Sequence, residues 1–164
     1  MTDLGILHYF LGMQIWKTPK GIFLSQRKYA HDLLEKFKMN DSNHVSIPCE
    51  LGTKLMADMN TPFVDETLYR QLVGSLNYLT ITRPNIAYNV GLVSRFMSKP
   101  QKTHFKVAKR ILRYIKGTIN MGLFYDANSV FILHSYTNFN LGGDPNDGKS
   151  TCGYYFCVGS GAIS

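Results

Sequence analysis

The sequence has little of what holds small secreted or metal-stapled domains together. Its 164 residues include three cysteines, Cys49, Cys152 and Cys157, and no CxxC pair. That excludes a disulfide framework and a zinc knuckle and makes a reducing compartment the default. Five histidines (His8, His31, His44, His104, His134) are scattered without an HExxH motif, so no metal site is built on them and each reads as an ordinary surface or interface histidine. No apolar run approaches the roughly 18 residues that a membrane span needs, so no membrane partner is expected. The opening MTDLGILHYFLGMQIWK carries Asp3 and lacks a basic leader and a small-residue cleavage site. It reads as folded sequence of an intracellular chain that is not secreted. Acid is scarce as well: 11 acidic residues face 18 lysines and arginines, a net charge of +7. The surplus suits an anionic partner such as nucleic acid or a merely solvating surface, and the placement of the charges must decide between them.

What is present is the composition of a soluble globular protein, 45% hydrophobic and 18% charged, long enough for one domain or two small pieces. The segments His8 to Trp16 and Ile22 to Ser25 are aromatic and β-branched and flank Lys17-Thr18-Pro19-Lys20-Gly21, which predicts a β-hairpin. Ser25 stands where a helix N-cap belongs, before Tyr29, Ala30, Leu33, Leu34 and Phe37 at helical spacing. Asp41 to Pro62 is polar and rich in turn formers, a long surface connection. Leu68, Leu72, Leu76 and Leu79 predict a second amphipathic helix over Asp65 to Thr80, with Asp65 and Glu66 suiting its N-terminus. Pro84 opens a third helix with Ile86, Val90, Val93 and Met97 on one face. A fourth runs from Thr103 to Lys116, closed by Gly117 as its cap. The period then changes to two. Gly122 to Tyr125, Val130 to Thr137 and Tyr154 to Val158 read as strands. The expected fold class is therefore α+β: a β-hairpin, four helices, then an incomplete β-meander whose open face and edge suggest a fragment.

Three stretches could carry chemistry. Gly143 to Ser150 spells GxxxxGK[ST], but a phosphate cradle must open a helix. Strand formers follow here, and Asp144 and Asp147 would put negative charge inside the loop, so it reads as a polar hairpin turn. The fourth helix is more informative. Lys102, Lys106, Lys109, Arg113 and Lys116 share one stripe, widened by Arg110, beside an apolar stripe of Phe105, Ala108, Leu112 and Ile115. No acid lies between Lys99 and Ile115, so the cations repel one another unless an anion is near, and a phosphate backbone is the natural neutraliser. A solvated face and a membrane-surface or calmodulin-type helix are the competing readings. The third stretch is the strand around Tyr136-Thr137-Asn138-Phe139-Asn140.

These residues sit among others that point to one family. Asp3-Leu4-Gly5, Tyr9-Phe10-Leu11-Gly12, Leu24 to Ala30 (LSQRKYA), Tyr69 to Thr80 (YRQLVGSLNYLT), Thr82-Arg83-Pro84, Arg95-Phe96-Met97, Lys109 to Thr118 (KRILRYIKGT) and Lys149-Ser150-Thr151 occur in that order. Together they closely resemble the C-terminal part of the reverse transcriptase and the start of RNase H in Ty1/copia-type retrotransposon Pol polyproteins of the plant kind. The resemblance implies that residues 1–128 are the end of the polymerase palm plus thumb and connection helices. It makes Tyr9, Phe10, Leu11 and Gly12 primer-grip-like, and residues 129–164 the first strands of a truncated RNase H domain. The family uses magnesium held by a palm aspartate pair, which would lie upstream of Met1, and by an RNase H carboxylate cluster. In this sequence Asn138 occupies the first RNase H aspartate position and Asn140 the second aspartate of the same run, while Leu141 replaces the usual tryptophan and Gly148 the usual arginine. The resemblance thus implies a catalytically inactive remnant with no catalytic residue, metal site or cofactor of its own. It would retain nonspecific affinity for an RNA–DNA hybrid or DNA duplex backbone through the fourth helix. One rival is a piece of an active RNA-directed DNA polymerase, partnered by the missing palm and RNase H portions. The other is a binding protein recruited by the host.

Overall fold

A computed structural model describes residues 8–140, 148 and 150–163. The chain opens in an antiparallel sheet, β1 (Tyr9–Phe10), β2 (Met13–Thr18) and β3 (Gly21–Ser25), which β4 (Leu123–Asp126) joins alongside β3 after all the helices have been made. The expected single first strand over 8–16 is broken at Leu11-Gly12, whose φ angles are 47° and 74°. Two left-handed residues in a two-residue loop match the twist of a hairpin, and the apolar Leu11 hides that turn from a reading of hydrophobic pattern. A side chain at Gly12 would come within 2.7 Å of the Tyr78 hydroxyl, which donates to the Leu11 carbonyl and ties the turn to the second helix.

The helices are α1 (Arg27–Lys36), α2 (Glu66–Leu79), α3 (Ala87–Ser94, entered through a 3-10 turn at Pro84–Ile86) and α4 (Lys102–Gly117). Ser25 is not the N-cap of α1. It is held extended opposite Gln14 in the β3 ladder, so the N-cap position falls one residue later, on Gln26. The Gln26 side chain is buried between α1 and α2, accepting from the Thr82 hydroxyl at 2.9 Å and donating to the Tyr78 carbonyl at 3.3 Å. Asp65 does cap α2, accepting from the Thr67 and Leu68 amides at 2.7 and 3.1 Å. Gly117 is not a left-handed cap: it lies within α4, and Thr118 (φ −127°) follows. A side chain there would sit 3.1 Å from His44, so close approach of the 39–62 connection explains the glycine.

The predicted apolar stripes converge on one core, except that Leu68 is exposed at the start of α2 and Met97 lies past the end of α3, only partly buried. Leu72, Val73, Leu76 and Leu79 of α2, Val90 and Val93 of α3, and Ala108, Ile111, Leu112 and Ile115 of α4 are buried together with Ala30, Leu33 and Leu34 of α1. Each buried leucine or isoleucine stabilises by about 1.5–3 kcal/mol relative to exposure. Arg83 locks the turn between α2 and α3 to the end of α4. It donates to the Thr118 carbonyl (3.0 Å) and hydroxyl (2.6 Å) and lies over the Tyr114 ring.

A second antiparallel sheet follows, ordered β5 (Leu133–Asn140), β6 (Thr151–Val158) and β7 (Gly161–Ala162). The strand expected over Val130 to Thr137 is displaced to Leu133–Asn140, and the one expected over Tyr154 to Val158 begins earlier, at Thr151, so that the ladder runs from Leu133 opposite Val158 to Asn140 opposite Thr151. The two-residue β7 is too short to leave a periodic signal. The Tyr125 hydroxyl donates to the Ala162 carbonyl at 2.5 Å and joins the two sheets. Residues 143–147 and Lys149 of the nucleotide-loop-like stretch lie outside the described residues.

Candidate nucleic-acid interface

The structure divides the six cations of α4. Lys102 and Lys106 stand exposed in its first turns, and the Lys109 ammonium rests 4.8 Å from the centre of the Phe105 ring. The other three turn toward the protein's own connection. Arg110 pairs with Glu50 at 2.8 Å. Arg113 Nε donates to the Asn43 carbonyl at 2.6 Å, and Lys116 Nζ donates to the Asn40 and Ser42 carbonyls, the latter at 2.7 Å. A stripe of six outward cations without an acid is thus corrected to an open N-terminal half and a C-terminal half that holds the chain. The acid comes from a segment distant in sequence, which spacing within one helix cannot reveal.

Residues 41–62, expected as a plain surface connection, are strapped onto α4. Met39 and Leu55 are buried, and Gln101 and His104 secure the far end of the strap. Gln101 Oε1 accepts from the Met59 amide at 2.7 Å, and its Nε2 donates to Asp58 at 3.0 Å. Hydrogen bonds from Gln101 and the Asn60 amide hold the Asp58 carboxyl below the usual aspartate range. His104 departs most from expectation. It is fully buried, stacked on Phe96 with ring centroids 4.1 Å apart, and bridges the Gln101 amide (3.0 Å, at Nδ1) and the Met56 carbonyl (2.9 Å, at Nε2). Because the amide can only donate, Nδ1 is the acceptor and Nε2 carries the proton. Burial pushes this imidazole below the usual histidine range.

Between the strap and α4 lies a cleft of about 610 Å³, with Phe105, Val107, Leu55 and Met59 among its lining and Lys54, Lys102, Lys106 and Lys109 bringing positive charge to it. Sequence reasoning missed Lys54 and Glu50. The only local signal was apolar Leu55 and Met59 within a polar stretch.

Tyr9, Phe10, Leu11 and Gly12 form β1 and its turn, and the first three are exposed. They lie at the edge of the first sheet, on a different element from the basic stripe. Asn138 is exposed on β5 opposite Gly153, and Asn140 pairs through its backbone with Thr151. Among the described residues no three His, Cys, Asp or Glu side chains come together. Asn138 offers a neutral amide, a weaker ligand for a hard divalent ion than the carboxylate that the resemblance places there.

The chain is 42% identical over 158 residues to the Retrovirus-related Pol polyprotein from transposon RE1 of Arabidopsis thaliana, covering 96% of this chain and 11% of the relative. It is 40% identical over 173 residues to the corresponding polyprotein from transposon TNT 1-94 of Nicotiana tabacum, covering all of this chain and 13% of that protein. An uncharacterized mitochondrial protein of Arabidopsis thaliana is 41% identical over 165 residues, which make up 68% of its length. The chain belongs to the copia-type retrotransposon Pol family. It spans about a tenth of the length of the Pol polyproteins it matches. No protein-family model matches this Pol segment, and no solved structure matches it. The motifs on which the resemblance rests can now be placed. The Gln26 of LSQRKYA and the Tyr78 and Thr82 around YRQLVGSLNYLT meet in one buried hydrogen-bonded cluster, and TRP and KRILRYIKGT meet through Arg83, Tyr114 and Thr118.

Proposed function

We propose that this copia-type Pol segment is a thumb-and-connection unit that grips a template–primer backbone without reading its sequence. It leads into the first strands of an RNase H-like domain and is catalytically inert by itself. The observation that carries the reading is the set of exposed or half-exposed cations at Lys54, Lys102, Lys106 and Lys109. None has an acidic partner among the described residues, while the nearby Glu50 is taken by Arg110. Such a patch gains most from an anion whose charges are spread along a line, as phosphates are. Asn138 supports inertness, since an amide keeps the aspartate's shape and loses its charge.

The test is titration of an RNA–DNA hybrid at several salt concentrations. With three to four phosphates engaged, log affinity should fall with log salt at a slope of about −3 to −4. Replacing Lys102, Lys106 and Lys109 by Gln should weaken binding to all sequences alike and flatten the slope by about 0.9 per lysine in contact. Helicity should be kept, because Gln is nearly as good a helix former. A folded chain with no salt-dependent binding at low ionic strength would refute the reading. Asn138→Asp should not create hybrid cleavage with magnesium or manganese. Metal-dependent cleavage by that variant would refute the inertness.

A further inference from the structure

We propose that the cleft between α4 and the 39–59 strap receives one unpaired nucleotide of a bound strand, its base on the apolar floor and its phosphates on the lysine rim. The inference deepens the backbone-binding reading and rests on it. At about 610 Å³ the cleft falls within the usual range for small-ligand sites. A base pair with both its backbones is too large for it, whereas a single nucleotide fits. The floor, including Phe105, Val107, Leu55 and Met59, gives a base drawn out of its stack the apolar and aromatic contacts that replace stacking.

The rim argues for a strand rather than a ligand with one anionic head. From Lys102 to Lys109 the helix axis advances about 10 Å, over which a nucleic-acid strand, at about 3.4 Å per nucleotide, places two or three phosphates. Lys54 adds positive charge from the opposite wall. A lone carboxylate would leave most of this charge unneutralised. Arg110 also lines the cleft, and its Nε is buried with no hydrogen-bond partner among the described residues. Buried donors are rarely left so, and a base or phosphate oxygen reaching the guanidinium would satisfy it.

Cys49 lines the same cleft and is half-exposed, so its alkylation reports occupancy independently of affinity. In the full chain carrying Cys152→Ser and Cys157→Ser, three probes are compared: a blunt RNA–DNA hybrid, the same hybrid with a short single-stranded extension, and adenosine monophosphate. The extension should tighten binding about tenfold, as one stacked base does, and slow Cys49 alkylation. The blunt hybrid should bind and leave Cys49 reactive. Thr53→Trp, placed at the cleft wall, should abolish the advantage of the extension and leave blunt binding unchanged. Equal affinity for both hybrids, with Cys49 alkylated alike, would overturn the inference and leave backbone binding standing. Binding of neither hybrid would overturn both. Protection of Cys49 by the mononucleotide as strong as by the extended hybrid would overturn the assignment to a strand in favour of a free nucleotide.

Discussion

At the first turns of α4, Lys102 and Lys106 project into solvent, whereas at its last turns Arg113 and Lys116 close onto the backbone carbonyls of Asn40, Ser42 and Asn43. The two ends share one helix, one stripe and one sign of charge. They differ in what the 39–62 connection presents to them. Leaving α1 at Met39, the chain crosses the C-terminal end of α4 with its carbonyls turned toward the helix, and cations near a helix C-terminus are also favoured by its dipole. Farther on, the connection offers α4 apolar side chains and two acids, Glu50 to Arg110 and Asp58 to the capping Gln101. Helical periodicity can place cations on a face, but only the position of acceptors tells a binding surface from a fastening.

The most direct way to break this comparison is to neutralise each end separately. Arg113→Ala with Lys116→Ala removes charge-assisted hydrogen bonds to three carbonyls along with the packing of both aliphatic stems. It should destabilise the chain by about 2–3 kcal/mol, a figure kept low because both side chains are half-exposed. Lys102→Ala with Lys106→Ala should change stability by no more than about 0.5 kcal/mol, as exposed substitutions do, while weakening hybrid binding. Urea unfolding of both double variants is the measurement. Equal losses would mean that the two ends are not distinct.

A second, smaller effect sharpens the comparison at the other end of the strap. Protonation of His104 at Nδ1 would set an N–H against the Gln101 amide and break that capping bond, while Nε2 still donates to the Met56 carbonyl. Its pKa in the folded chain lies below the ordinary 6.5, so the unfolded chain binds more protons between the two values and stability rises with pH there. The contribution is complete above about 6.5 and is lost as pH falls from that value toward the folded pKa. His104→Gln should cost about 1–2 kcal/mol at pH 7.5, comparable to loss of a helix cap, and should flatten the dependence below pH 6.5. An unchanged profile in the variant would place the titration elsewhere.

Much of the helical core was legible because its information is local. Leu72, Leu76 and Leu79 recur at helical spacing and are all buried, and Asp65 caps the helix whose N-terminus it was expected to suit. What escaped depends on partners remote in sequence. Gly117 looks like a cap until His44 is seen against it, and Leu11 hides a turn secured by Tyr78. His104 is an isolated histidine until Met56 and Phe96 surround it. The candidate site was half legible for the same reason. Spacing placed Lys102, Lys106 and Lys109 on one face, whereas the cleft beside them needs a connection whose polar composition gives no sign that it packs.

Glu50 tests the smallest difference between the two halves of the stripe, because Arg110 sits at their boundary. The Glu50 side chain is 70% exposed and that of Arg110 23%, so their 2.8 Å ion pair lies partly in water. Surface pairs of this kind contribute about 0–1 kcal/mol. Glu50→Gln should therefore shift stability by less than about 1 kcal/mol and keep the strap in place, since Arg113, Lys116, Gln101 and His104 still hold its ends. Removing the acid leaves Arg110 unneutralised beside Lys106 and Lys109, so affinity for the hybrid should rise severalfold at low salt. The salt slope should steepen by about 0.9 if the freed guanidinium reaches a phosphate. Should Glu50→Gln weaken binding, Glu50 would be serving the ligand rather than opposing it, and Arg110 would belong with the fastening half of the helix.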